Sequence, residues 1–294
     1  MTLALYDRCA DLSAYLDKFR GGGRQVGMVG TSGTMHEGHL SLIRRAAEEN
    51  DMTALFWGGH SASDWMASQV GTSGDAARDF SLAESAGLDI LFAPQSGELF
   101  PSEPMTRVSL PAMSSEVPHL ESPAHLDLIA MTMGKLWHIF GPCRSYFGEK
   151  DWQQLAMFRR LATDLAWPVE VIGCPTIRDE RGLALSSRNE QLTEAQRADA
   201  PVLYRALGAA RRAAVDGTRS TRELSAIFSE TVGRAARIRY FTAVVSATMK
   251  PLDQVTGSVR LLASIEMGLV RLVDNIGIEL SERSSARKQG GPSK

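Results

Sequence analysis

Residues 25–50 read QVGMVGTSGTMHEGHLSLIRRAAEEN, and the change of period inside this stretch decides the fold. Val26, Met28 and Val29 form a short apolar run of strand type, and Gly30 to Gly33 make a flexible turn. From about His36 the apolar positions Leu40, Leu42, Ile43, Ala46 and Ala47 recur at helical spacing. The unit is strand, glycine-containing turn, helix. Outward from it the alternation repeats: a strand at 52–57, a helix at 75–86 and a strand at 89–93. Beyond a Pro- and Ser-rich connection at 101–123 come a buried helix at 126–139, a strand at 145–147, a helix at 151–166 and a strand at 169–173. Strands alternating with helices predict an α/β fold, a Rossmann-like doubly wound parallel sheet with helices on both faces.

The character changes near residue 190. Thr193 to Gln196 is a capping-box pattern opening a long Ala/Arg-rich helix, and a second helix is expected at 220–238. Three β-rich runs follow at 240–246, 258–265 and 268–273. We therefore expect a Rossmann-like first domain over 1–188, a smaller C-terminal α+β domain over 189–283, and a disordered tail at 284–294. The chain has 294 residues, about two domains at roughly 150 residues each. Lys and Arg number 32 against 34 Asp and Glu, so no electrostatic reason exists to expect extended nucleic-acid binding. The three cysteines, Cys9, Cys143 and Cys174, are odd in number and widely spaced, which points to a reducing compartment. Asp7 and Arg8 interrupt the N-terminal apolar run, and no stretch reaches the about 18 apolar residues of a membrane span. A cytoplasmic, soluble protein with no membrane partner is expected.

Three segments carry chemistry. His36-Glu37-Gly38-His39 opens a helix, where unpaired N–H groups and the positive dipole end favour phosphate. Two imidazoles three residues apart would share a helix face and donate to phosphoryl oxygens as charge develops, and Gly38 would let a phosphate or sugar approach closely. For a bare HxGH a pair of helix-capping histidines is the plainer reading, but the strand–glycine turn–helix context reverses it; zinc lacks a third ligand. In Phe147-Gly148-Glu149-Lys150-Asp151 a strand end opens into a helix. Lys150 suits phosphate, and Asp151 a ribose hydroxyl or a metal; an ordinary charged helix start is the alternative. Leu185-Ser186-Ser187-Arg188-Asn189 offers two hydroxyls, a guanidinium and an amide as a clamp on triphosphate, or else a linking loop with a helix cap.

The order HxGH, FGEKD-x-QQL and PT-I-R-D…GLALSSRN resembles the pantothenate synthetase (pantoate–β-alanine ligase) family, within the nucleotidyltransferases carrying HIGH-type signatures. Gly268 to Ile276, GLVRLVDNI, is similar to that family's ending. The resemblance implies a two-step, AMP-forming reaction: a carboxylate attacks the α-phosphorus of ATP, then an amine attacks the acyl-adenylate. It implies that Ser32, Gly33, Thr34, Met35, His36, Gly38 and His39 contact ATP, with His39 as proton donor. Gly148, Lys150, Asp151, Ile177, Leu185, Ser186, Ser187 and Arg188 fall at the other ATP positions, with His36, His39, Lys150 and Arg188 as the catalytic set. Gln154 matches one of two pantoate-holding glutamines. Mg²⁺ accompanying ATP and a homodimer are also implied.

The acid half departs from that pattern. The family's FVNPxQF is here Phe56-Trp57-Gly58-Gly59-His60-Ser61-Ala62, so Ser61, with His60 beside it, stands where the second glutamine belongs. The RPGHF-like loop is Ser122-Pro123-Ala124-His125-Leu126, without its arginine and glycine. Trp57, His60 and Trp65 either line a reshaped pocket or, for the tryptophans, fill core. The expected function is therefore an ATP-dependent carboxylate–amine ligase with a changed acid. A genuine pantothenate synthetase and an inactive nucleotide-binding paralogue are the alternatives.

Overall fold

The computed structural model describes residues 3–31, 35–58, 76–94, 97–114 and 122–280. The expected tail at 284–294 and the turn residues Ser32, Gly33 and Thr34 lie outside them. A six-stranded parallel sheet runs β1 (Ala4–Tyr6), β4 (Ile90–Phe92), β3 (Met52–Trp57), β2 (Val26–Thr31), β5 (Cys143–Gly148), β6 (Val169–Cys174). Every residue of β3 is buried, as is all of β2 but Gly30. Such strands are covered on both faces, and so they read as unbroken apolar runs without alternation.

Leu12, Leu16 and Phe19 of α1 (Cys9–Arg20) bury against one face. They are joined there by α5 (Pro123–Phe140) and α6 (Trp152–Asp164). On the other face α2 (Glu37–Glu49) and α3 (Ala76–Ser85) contribute Leu40, Leu42, Ile43, Ala46 and Ala83. Gly27 explains how closely α2 lies on the sheet: a Cβ there would fall 2.7 Å from Asn50 and 3.1 Å from Ala46. Strand order reverses between β2 and β5. In an open parallel sheet that reversal opens a crevice beyond the carboxyl ends of the two strands, and both histidine- and lysine-bearing segments leave the sheet there.

The second unit is a three-stranded antiparallel sheet, β7 (Arg237–Val245), β8 (Gly257–Met267) and β9 (Val270–Leu280). Helices α8 (Val202–Asp216) and α9 (Thr221–Val232) share its core through Leu203, Leu207, Leu224 and Phe228. Val244, Met249 and Leu262 pack instead into the first unit's core, so the two units share apolar contact. No helix among the described residues is long and apolar enough to cross a membrane.

Several expected boundaries move. The capping box at Thr193 and Gln196 forms, but its helix α7 (Glu194–Asp199) is one short piece. Ala200 and Pro201 keep helical angles yet separate it from α8, because proline supplies no backbone N–H to continue the ladder. The helix expected over 220–238 ends at Gly233, whose φ of 54° suits glycine, and the chain is already a strand at Arg237. Strand β9 continues to Leu280, well past the apolar run that signals it. The edge strand β1 and the short helix α4 (Pro111–Ser114) carry too few residues for periodicity to reveal them.

Candidate active site

His36 is not the first residue of α2 but its N-cap, with extended backbone, φ −139° and ψ 170°. Its Nδ1 accepts from the Gly38 N–H at 3.1 Å, which satisfies one of the helix's open donors. A neutral ring accepting at Nδ1 carries its proton on Nε2. Burial lowers the His36 pKa from its ordinary value, and Lys150 lowers it further, against smaller opposing effects of Glu190 and Asp151. His36 is therefore a neutral imidazole near pH 7. Its ring stacks on His39, with centroids 4.0 Å apart and planes 23° off parallel.

Gly38 has a role the sequence did not show. A Cβ there would lie 2.8 Å from Cε1 and 2.9 Å from Nδ1 of His36, so the glycine makes room for the folded-back imidazole. His39 is oriented from the sheet, because Nε2 lies 3.2 Å from Oγ1 of Thr31, the last residue of β2. Buried Asp79, on α3, accepts the Met35 N–H at Oδ2, 3.0 Å away. This carboxylate fixes the chain just before the cap. Nothing in its local sequence distinguishes it.

The second segment follows β5 as a single 3₁₀ turn, Glu149–Asp151, with Gly148 as its extended cap. The Lys150 side chain is 19% exposed, and Nζ sits 4.0 Å from Asp151 Oδ2. The third segment folds back on itself. Leu185 donates its N–H to the Ile177 carbonyl at 3.0 Å, and Arg178 bridges Ala184 across the same hairpin. Asp179 closes the tip, its Oδ1 accepting from the N–H groups of Arg181 and Leu183. Ser186 caps the following 3₁₀ turn, accepting from the Arg188 N–H at 3.3 Å, and Arg188 itself is exposed. Lys150, Ser186 and Arg188 line one cleft, together with Asp274 of β9. Lys150, Asp151 and Glu190 act electrostatically on His36, so the second and third segments lie near the first.

Contacts from β8 and β9 hold these segments. Arg178 forks onto Asp274, Nη1 donating to Oδ2 at 2.5 Å and Nη2 to Oδ1 at 2.9 Å, and stacks 3.6 Å from the Tyr204 ring centroid. Arg260 lies 3.2 Å from the Trp152 ring centroid and pairs with Glu149 at 3.4 Å. Burial pulls Arg260 below an arginine's ordinary value, and Glu149 opposes the shift. Asn275 donates both amide hydrogens, to the carbonyls of Glu149 and Lys150, each at 2.8 Å. Arg178, Asp274 and Asn275 were not among the expected site residues. Arg178 stood in the PT-I-R-D motif, and Asp274 and Asn275 in the VDN run of the closing motif.

On the acid side, Gln154 is half-buried and has no hydrogen-bond partner among the described residues. Its neighbour Gln153 is engaged in structure, donating to the Met113 carbonyl at 3.2 Å. Ser122 caps α5, its Oγ accepting from the His125 N–H at 3.3 Å. Trp57 fills core: it is 5% exposed and meets Phe80 edge-on at 4.6 Å. Alternation along β3 sends it to the α2–α3 face, away from Phe56. His60, Ser61 and Trp65 lie outside the described residues. Among the described residues no three His, Cys, Asp or Glu side chains come together as a metal-binding group.

A family profile described as Pantoate-beta-alanine ligase matches residues 4–277. Pantothenate synthetase 1 of Frankia alni is 41% identical over 282 residues, 92% of this chain and 97% of that protein. Pantothenate synthetase of Geobacillus thermodenitrificans is 34% identical, covering 95% and 97%. The crystal structure of pantothenate synthetase from Thermus thermophilus superposes with a TM-score of 0.80 at 35% identity, covering 93% and 98% of the two chains. The pantoate-beta-alanine ligase of Francisella tularensis, complexed with beta-gamma ATP and beta-alanine, superposes at 0.72 with 25% identity and 94% and 97% coverage. A match along nearly the whole chain, reaching from the edge strand β1 into β9, leaves one assignment: the chain belongs to the pantoate–β-alanine ligase family of ATP-dependent, C–N bond-forming ligases, which release AMP and pyrophosphate.

Proposed function

We propose that the chain activates a small carboxylic acid other than pantoate as its acyl-adenylate and passes the acyl group to a small amine. The reading is supported by His36 and His39 stacked just beyond β2, and by Lys150, Ser186 and Arg188 lining one cleft. The acid's carboxylate oxygen attacks the α-phosphorus, and the bond to the bridging oxygen of pyrophosphate breaks. Neutral His36 donates a hydrogen bond to a phosphoryl oxygen with His39 beside it, and Lys150 and Arg188 carry the positive charge that the leaving pyrophosphate requires. Mg²⁺ accompanying ATP would screen phosphoryl charge beside Lys150 and Arg188. In the second step the amine attacks the acyl carbon, AMP leaves, and the amine's proton goes to solvent or to a phosphate oxygen. The smaller domain works as a cover that keeps water from the mixed anhydride.

The observation that carries the altered acid is Ser122. At the family's arginine position it has no guanidinium to offer, and its hydroxyl oxygen accepts at the α5 cap. Gly58 in place of asparagine and Ser61 in place of glutamine remove further donors from the same side. A pocket that loses the partners of substrate hydroxyls discriminates against that substrate strongly. The second reading, a pantothenate synthetase with compensating residues, is favoured by the names of the relatives at 34–41% identity. AMP release with ATP, β-alanine and a panel of small acids separates the two. A turnover with pantoate equal to or above that with every other acid refutes the altered-acid reading and establishes the second.

A further inference from the structure

Asn275 is buried, 5% exposed, yet it lies on the C-terminal sheet and not on any segment of the ATP half. Its side chain commits both N–H donors to consecutive backbone carbonyls, Glu149 and Lys150, at 2.8 Å each. Its Oδ1 accepts from Arg260 at 3.1 Å, so every polar site of the amide that faces this junction is used. Two hydrogen bonds to adjacent carbonyls fix the turn both in position and in rotation, and the turn is what aims Lys150. The preceding residue, Asp274, holds the other ATP-facing segment through the fork from Arg178. Asp274 Oδ1 also accepts the Asn275 N–H at 2.8 Å, which ties the two grips together.

We infer that Asn275 is a positioning residue for the adenylation step. Strand β9 sets the spacing between Lys150 and the Arg188 turn through this pair of neighbouring side chains. The inference rests on the proposed role of Lys150. Only an amide of this length serves, because aspartate has no donor for the two carbonyls and alanine leaves both unmet. With the turn released, Lys150 keeps its charge and its place in the sequence but loses its fixed aim. Interactions that matter most at the transition state suffer first from displacement of about 1 Å, so rate falls more than ATP binding.

The test uses full-length Asn275→Ala and Asn275→Asp, with Lys150→Ala as reference. ATP–pyrophosphate exchange is run with the acid that the panel selects, and far-ultraviolet circular dichroism and thermal unfolding report the fold. The expected result is a folded Asn275→Ala protein whose exchange rate is about 10- to 100-fold lower, with the ATP KM changed less than about threefold. Asn275→Asp behaves no better. A purely structural residue would lower the folded fraction and leave the rate per folded molecule alone. Exchange within twofold of wild type in either folded variant overturns the inference, as does failure of both variants to fold. If Lys150→Ala itself exchanges normally, the site reading fails; if it is inactive while Asn275→Ala is active, only the positioning role fails.

Discussion

Gly38→Ala adds one carbon atom at the point where the site is tightest. The new Cβ would sit 2.8 Å from Cε1 of His36 and 2.9 Å from Nδ1, against about 3.5–4.0 Å for an ordinary contact. The alternative, moving α2 away, is opposed by Ile43 and Ala46, which are fully buried against the sheet. The imidazole therefore swings out, giving up its stack on His39 and its acceptance of the Gly38 N–H. Loss of that cap costs about 1 kcal/mol. Replacing glycine by alanine within a helix returns about 1 kcal/mol, because Gly38 is not in the left-handed region. The two effects cancel, so the unfolding midpoint stays within about 2 °C of wild type. Activity does not cancel. Removing one preorganised donor from a developing oxyanion costs about 10²–10³ in rate, and the variant loses that much ATP–pyrophosphate exchange. Exchange within threefold of wild type in a protein that melts normally refutes the role given to the folded-back His36. A midpoint lowered by more than about 6 °C refutes the cancellation instead.

Three further outcomes are expected. Asp274→Asn removes the counter-charge from Arg178, whose side chain is 16% exposed; at about 3–5 kcal/mol for a broken buried pair, the midpoint falls by about 6–10 °C in thermal denaturation. His36 is held below its ordinary pKa, so at pH above about 6.5 neither state binds its proton, whereas below it the unfolded chain binds one that the folded chain refuses. Stability should therefore fall as the pH drops from about 6.5. His36→Asn, which keeps a cap acceptor and cannot titrate, should flatten that fall in denaturant titrations at about pH 5–7. Burial pushes the Cys143 thiol up to about 12, so peptide mapping after iodoacetamide at about pH 8 should find it unmodified in the native protein and modified in urea.

The parallel sheet was legible because β2 and β3 are buried along their length and α2 is one-sided, so burial wrote itself into the period of the apolar residues. The strand-to-helix junctions bearing His36 and Lys150 were legible for the same reason. Contacts across the chain were not. Asp79 reaches Met35 over 44 residues with nothing around it to mark it, and Asn275 reaches Lys150 over 125 with a motif beside it that says nothing of the partner. Trp57 was ambiguous from sequence because a tryptophan at a strand end serves a pocket and a core equally well. The register of β3, which faces it toward Phe80, decides the matter. The long helix expected after Thr193 failed on one residue, Pro201, since apolar spacing carries through a break that the backbone cannot.

The grip of β9 on the Lys150 turn also bears on the order in which the protein acquires its chemistry during synthesis. A nascent chain that has emerged through β6 already contains both histidines, Lys150 and all six parallel strands, and domains of this kind fold from the N-terminus as they appear. The residue that pins the turn arrives about a hundred positions later, on the last strand to be added. A half-made chain thus holds every strand of the parallel sheet and still lacks the residue that pins the Lys150 turn. On the proposed roles of Lys150 and of the smaller domain, such a chain would not form the reactive anhydride while its cover is still being translated.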